Sequence, residues 1–118
     1  MSDVDTTIET LRQAMRQFVA EREWEKYHSP KNLAMSLAIE AAELMEHFQW
    51  LEPAESHGVA ASPDEKAEVA DELADVLCYA LSLANVLQID VSCAVLGKLR
   101  KNALKYPVER FRGRYRAD

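Results

Sequence analysis

Two pairs of carboxylates, Glu40/Glu43 and Glu72/Asp75, repeat one spacing of three residues. On a helix that spacing puts both members of a pair on one face. At about 100° per residue, Glu40 falls near the middle of an apolar stripe drawn by Leu33, Leu37, Leu44 and Leu51, and Glu43 falls on its edge. A carboxylate aimed into a core is costly unless it is paired or binds a metal. Two such helices packed face to face would direct four carboxylates at one point, an oxygen-rich set suited to a hard divalent cation. Two readings of the quartet stand at this stage: an acidic seam between helices, and a divalent-metal site. Glu46 falls on the opposite face and is set aside as a ligand.

Other polar residues sit where apolar ones are expected. Lys98, Asn102 and Tyr106 continue the stripe of Val91, Val95 and Leu99 at four-residue steps. Polar groups on an inward stripe need partners, and Lys98 and Asn102 would suit an anionic ligand. Glu68, Glu72, Asp75 and Tyr79 share an arc that Leu83 and Val86 continue, so it is not a pure solvent face. Trp24 and His28 fall four apart at the end of the first helical pattern; the plain reading is a packed Trp and a surface His. Cys78 and Cys93 lie in apolar helical patterns without metal-site spacing and read as buried free thiols in a reducing compartment.

Four helices position these groups. Ile8, Leu11, Met15, Phe18 and Val19 recur at three- and four-residue steps and predict a helix over about 4–26, with Arg12, Arg16 and Glu23 on a solvated face. Ser29-Pro30 starts a second helix, about 30–50, with Ser as N-cap and Pro at the first position. The segment 52–61 is read as a loop, and His57 in it has no assigned partner. Ser62-Pro63-Asp64-Glu65 reads as a capping box opening a third helix, 63–87. That helix is acidic in its first half and apolar almost all round from Val76 to Leu87, so neighbouring chains are expected to help cover it. Asp90 caps a fourth helix, about 91–106, stopped by Pro107. Mid-helix Gly97 suggests close packing, and a basic tail from about 108 carries Arg110, Arg112, Arg114 and Arg116 as a frayed, solvated end. The expected architecture is all-α, a four-helix bundle-like fold in a single domain, 1–118.

The totals exclude several functions. Apolar residues make up 48% of 118, enough for one core. A net charge of −6 argues against DNA, RNA or an anionic membrane as partner. No segment approaches the roughly 20 apolar residues that span a bilayer, and the acidic N-terminus is unlike a signal peptide. The expected location is cytoplasmic.

The chain resembles the all-α nucleoside triphosphate pyrophosphohydrolases of the MazG-like superfamily, and among them the dCTP pyrophosphatases. The superfamily motif, Glu-x-x-Glu then Glu-x-x-Asp, reads here as Glu40-Ala-Ala-Glu43 and Glu72-Leu-Ala-Asp75. The likeness extends to Phe18-Val-Ala-Glu-Arg-Glu-Trp24, His28-Ser-Pro-Lys-Asn32-Leu and Glu43 through Phe48-Gln-Trp50. It also takes in Asp75-Val-Leu-Cys-Tyr79 and Lys98-Leu-Arg-Lys-Asn102 followed by Tyr106-Pro107, and covers about residues 10–108.

The resemblance implies hydrolysis of a (deoxy)nucleoside triphosphate, dCTP or a 5-modified dCTP first, to monophosphate and pyrophosphate by water attack at the α-phosphorus. It implies Mg²⁺, with Mn²⁺ as a substitute, held by Glu40, Glu43, Glu72 and Asp75. Phosphate contacts would fall to Lys98, Asn102 and Tyr79. The nucleoside pocket would take Trp24, His28, Asn32 and Trp50, which replaces the plain reading of Trp24 and His28. It implies a homo-tetramer built as a dimer of dimers. Two alternatives are kept: a catalytically silent helical module that binds nucleotide or protein, and a superfamily relative acting on dUTP or another nucleotide.

Overall fold

A computed structural model describes residues 1–116. Those residues are all-α, with six α-helices and no strand. They divide into two compact units, Met1–Gln88 and Ile89 onward.

In the first unit, α1 is Ile8–Glu21, shorter than the expected 4–26 at both ends. Thr7 is its cap, accepting the Thr10 amide at 3.1 Å, which satisfies a donor that the helix itself leaves orphaned. At the other end Glu23 adopts a left-handed backbone, φ 53. That stops the helix without Gly or Pro and lifts Trp24 out of it into a turn, followed by a 3₁₀ segment Glu25–Tyr27.

Helix α2 is Pro30–Glu46. Ser29 Oγ accepts the Asn32 amide at 3.1 Å, as its cap position requires. Residues 47–50 form turns rather than the expected last helical turn. The segment read as a loop holds α3, Pro53–Ser56, and a 3₁₀ segment His57–Ala61. The Glu52 amide donates to Glu55 Oε1 at 3.1 Å, so a helix-start bond forms here. It does not form at Ser62, whose side chain makes no cap bond.

Helix α4, Pro63–Leu87, matches expectation at both ends. Gln88 in the left-handed region closes it, its amide bonded to the Ala84 and Asn85 carbonyls. Such an αL residue satisfies terminal carbonyls.

Leu33 anchors the packing of this unit. It is 1% exposed, the largest fully buried side chain among the described residues. Burying a leucine contributes about 1.5–3 kcal/mol. Val19, Leu81 and Ala84 are buried with it. Between α1 and α4 the link is polar. Arg12 Nε and Arg16 Nη1 both donate to Asn85 Oδ1, at 2.9 and 2.8 Å, and Asn85 Nδ2 donates to the Arg12 carbonyl at 3.1 Å. Arg12 and Arg16 are expected on a solvated face; Arg16 is exposed and Arg12 half-buried, and both bond to α4 through Asn85.

The second unit contains α5, Val91–Lys105, and a single-turn α6, Val108–Phe111. Asp90 Oδ1 accepts the Cys93 amide at 2.8 Å. The tail is therefore not wholly frayed: Phe111 packs edge-on to Tyr106, ring centroids 5.1 Å apart. Val95 and Leu99 are more than half exposed, and a Cβ on Gly97 would meet only Arg100 at 3.8 Å. Within this unit nothing packs closely at Gly97. Cys93 is exposed, contrary to the expected pair of buried thiols, because it sits in the first turn of α5 beside its cap. Only Cys78 is sheltered.

Candidate functional site

Helices α2 and α4 bring three of the four motif acids together. One carboxylate oxygen from each of Glu40, Glu43 and Glu72 lies within 4.8 Å of the other two. All three residues are partly buried. Glu40 Oε2 and Glu72 Oε2 are closed off from solvent and have no hydrogen-bond partner. A buried oxygen without a donor is costly, and such cost is tolerated at functional sites. Asp75 lies outside this group of three and is exposed. It is still near enough for its charge to act on Glu40 and Glu72. Glu46 is exposed and also lies outside the group of three.

Burial and mutual repulsion both act on these carboxyls. Burial, then the adjacent Glu43, push Glu40 up to about 7. Glu72 is also raised, by burial and then by Glu43 and Asp75, with His47 acting against the shift. This donor set fits a hard divalent cation. It is all oxygen, it converges, and two of its members each present one buried oxygen without a hydrogen-bond partner.

A cavity of about 520 Å³ opens between α1 and α4, within the size range of small-molecule sites. Phe18, Val19 and Met15 of α1 form one wall, and Asp75, Tyr79 and Ser82 of α4 form the other. Trp24 and His28, from the turn after α1, complete it. Trp24 is fixed by an edge-on contact to Phe18, centroids 5.8 Å apart, while the Arg22 guanidinium lies 3.8 Å over the Phe18 ring. Cys78 also lines the cavity, and burial, then Asp75, raises its thiol. A second hollow of about 390 Å³ shares Met15, Val19, His28 and Ser82, and continues past Arg16 and Asn85.

The expected site residues thus divide. Trp24, His28, Asp75 and Tyr79 meet at the larger cavity. Asn32 and Trp50 line neither hollow. The Asn32 side-chain amide donates to the Tyr27 carbonyl at 3.1 Å, and Trp50 is 88% exposed. Lys98 and Asn102 belong to α5 in the second unit. Met15, Phe18 and Val19 were legible as an apolar stripe but not as a cavity wall. Ser82 was not singled out; its only signal was a hydroxyl within the apolar run from Val76 to Leu87.

A model described as the MazG-like family matches residues 35–116, which contain all four motif acids. The chain belongs to the MazG-like family. Among curated relatives, dCTP pyrophosphatase 1 of Rattus norvegicus is 41% identical over 109 residues, 92% of this chain and 64% of that protein. The Homo sapiens dCTP pyrophosphatase 1 is 41% identical over 103 residues, 87% of this chain and 61% of that protein. The chain therefore spans somewhat under two thirds of these relatives' length. The crystal structure of a pyrophosphatase from Archaeoglobus fulgidus DSM 4304 superposes with a TM-score of 0.80 at 44% identity. That match covers 91% of this chain and 98% of the archaeal one. No single helix among the described residues is long and apolar enough to cross a membrane.

Proposed function

We propose that this protein is a Mg²⁺-dependent nucleoside triphosphate pyrophosphohydrolase, with dCTP or a 5-substituted dCTP as preferred substrate. The observation that carries the reading is the convergence of Glu40, Glu43 and Glu72, with two buried oxygens left unpartnered, while the fourth motif acid, Asp75, lines a cavity of about 520 Å³. The names of the curated relatives support the base, and the family supports the chemistry. In this reading Glu40, Glu43, Glu72 and Asp75 hold the metal, with Mn²⁺ as substitute. When bound, the cation neutralises the polyphosphate and polarises the α-phosphoryl group.

The chain's own residues do the rest. A carboxylate oxygen of the acid set accepts a proton from the attacking water. The water oxygen bonds to the α-phosphorus as the bridging Pα–O bond breaks, and pyrophosphate leaves with that electron pair. Tyr79 lies one turn beyond Asp75 and donates its hydroxyl to phosphate. Trp24 stacks on the base, and His28 meets its polar edge. Asn32 and Trp50 are retained as nucleoside contacts, and Lys98 and Asn102 as phosphate contacts, each open to test by substitution.

The chain is proposed to act as one functional domain and as a homo-tetramer, a dimer of dimers. Met35, Ile39 and Leu77 are each more than half exposed on α2 and α4, an apolar surface that subunit contact would cover. A cytoplasmic setting accords with two free thiols. The deciding experiment is a panel of ribo- and deoxynucleoside triphosphates with Mg²⁺, both products quantified. Monophosphate and pyrophosphate, fastest with a cytosine deoxynucleotide, are expected. Nucleotide binding with no turnover across the panel would favour a silent binding module instead.

A further inference from the structure

Ser82 is 4% exposed, and its Oγ has no hydrogen-bond partner. A buried serine within a helix ordinarily returns its hydroxyl to the carbonyl four residues back; this one makes no such bond. It lines both hollows between α1 and α4. It also shares one arc of α4 with Glu72, Asp75 and Tyr79. Asp75 and Ser82 are seven positions apart, so they stand about 10 Å apart along the helix axis. That is close to the length of a nucleoside. The cavity's apolar wall is Met15, Phe18, Val19 and Trp24, and its other polar groups are His28, Asp75, Cys78 and Tyr79.

We infer that Ser82 is a specificity-determining residue whose hydroxyl hydrogen-bonds the exocyclic polar group at position 4 of a pyrimidine base held in this cavity. The inference rests on the nucleotide reading above. A hydroxyl both donates and accepts, so it can meet an amine or a carbonyl. Its selectivity comes from what it rejects. A base with no polar group at that edge leaves the hydroxyl buried and unpaired, and sites built to pair a polar group discriminate strongly against analogues that lack it.

The test is Ser82→Ala, assayed with dCTP, dUTP and the 2-pyrimidinone deoxynucleoside triphosphate, which lacks the exocyclic amine. One net hydrogen bond corresponds to roughly 3- to 10-fold in kcat/KM. For dCTP that loss should appear in KM with kcat nearly unchanged, and the 2-pyrimidinone analogue should be turned over as by the wild type. The ranking of the three substrates should compress. Ser82→Thr, which keeps the hydroxyl, should keep the ranking. Thermal unfolding without nucleotide adds a readout that a structural role would move the other way. Ser82→Ala removes an unpaired buried hydroxyl, so Tm should hold or rise. An active wild type whose Ser82→Ala form melts early and ranks the substrates unchanged would overturn the inference and leave the proposed function standing. A wild type that turns over none of the triphosphates would overturn both.

Discussion

Metal binding should be strongly coupled to pH, because the cluster retains a proton in the absence of metal. Glu40 titrates at about 7 in the folded chain against 4.5 for the ordinary side chain. Below about 4.5 the folded and unfolded chains both hold this proton, and its contribution to stability is unimpaired. Between about 4.5 and about 7 only the folded chain holds it, so metal-free stability falls as pH rises through that window. A divalent cation must displace the proton. Apparent affinity should therefore weaken about tenfold per pH unit below about 7, or roughly 30-fold between pH 5.5 and the plateau above 8. Glu72, also raised, steepens the dependence. The assay is thermal unfolding against Mg²⁺ concentration at several pH values. At roughly 2.1 cal/mol/K per residue, 118 residues give an unfolding entropy of about 0.25 kcal/mol/K. Each decade of free metal above Kd should then raise Tm by about 5 °C. Glu40→Gln should flatten the pH dependence. An affinity constant from pH 5.5 to 8.5 in the wild type would refute the reasoning.

The acids and the aromatic wall make further predictions. Glu43→Ala and Glu72→Ala should abolish turnover while circular dichroism stays helical, and exposed Glu46→Ala should be nearly silent; near-full activity in Glu72→Ala would remove it from the metal set. Trp24→Ala should lower kcat/KM by roughly 5- to 150-fold, the range of base stacking on an aromatic, and blur selectivity; an early melt with unchanged KM would return Trp24 to a packing role. Leu33→Ala should cost about 3–5 kcal/mol and lower Tm by roughly 10–20 °C, and a drop of under 3 °C would deny Leu33 its place in the core.

Where the sequence carried a physical stop, it could be read closely. Pro63 and the apolar run ending at Leu87 bound α4 as expected, and Ser29, Pro30 and Asp90 mark true helix starts. Where the stop lay in the backbone alone, it could not. Helix α1 ends through a left-handed Glu23, a residue with no turn preference, and so its periodicity ran on too far. Ser62 shows the opposite failure: a strong capping sequence whose side-chain bond is not made. Within the site, three-residue spacing correctly aligned Glu40 with Glu43. Which oxygens converge depends on how α2 meets α4, and that leaves Asp75 at the margin. The cavity was hidden for the same reason. It arises from α1 against α4, about 60 residues apart in sequence, joined through Asn85 and its two arginines.

The central claim is hydrolysis at the α-phosphorus, and water labelled with ¹⁸O tests it most directly. One turnover of dCTP with Mg²⁺ in labelled water, read by mass spectrometry, should place the label in the monophosphate and none in pyrophosphate. Label in the pyrophosphate would mean attack at the β-phosphorus. A diphosphate with labelled orthophosphate would mean attack at the γ-phosphorus. Either result would contradict the account.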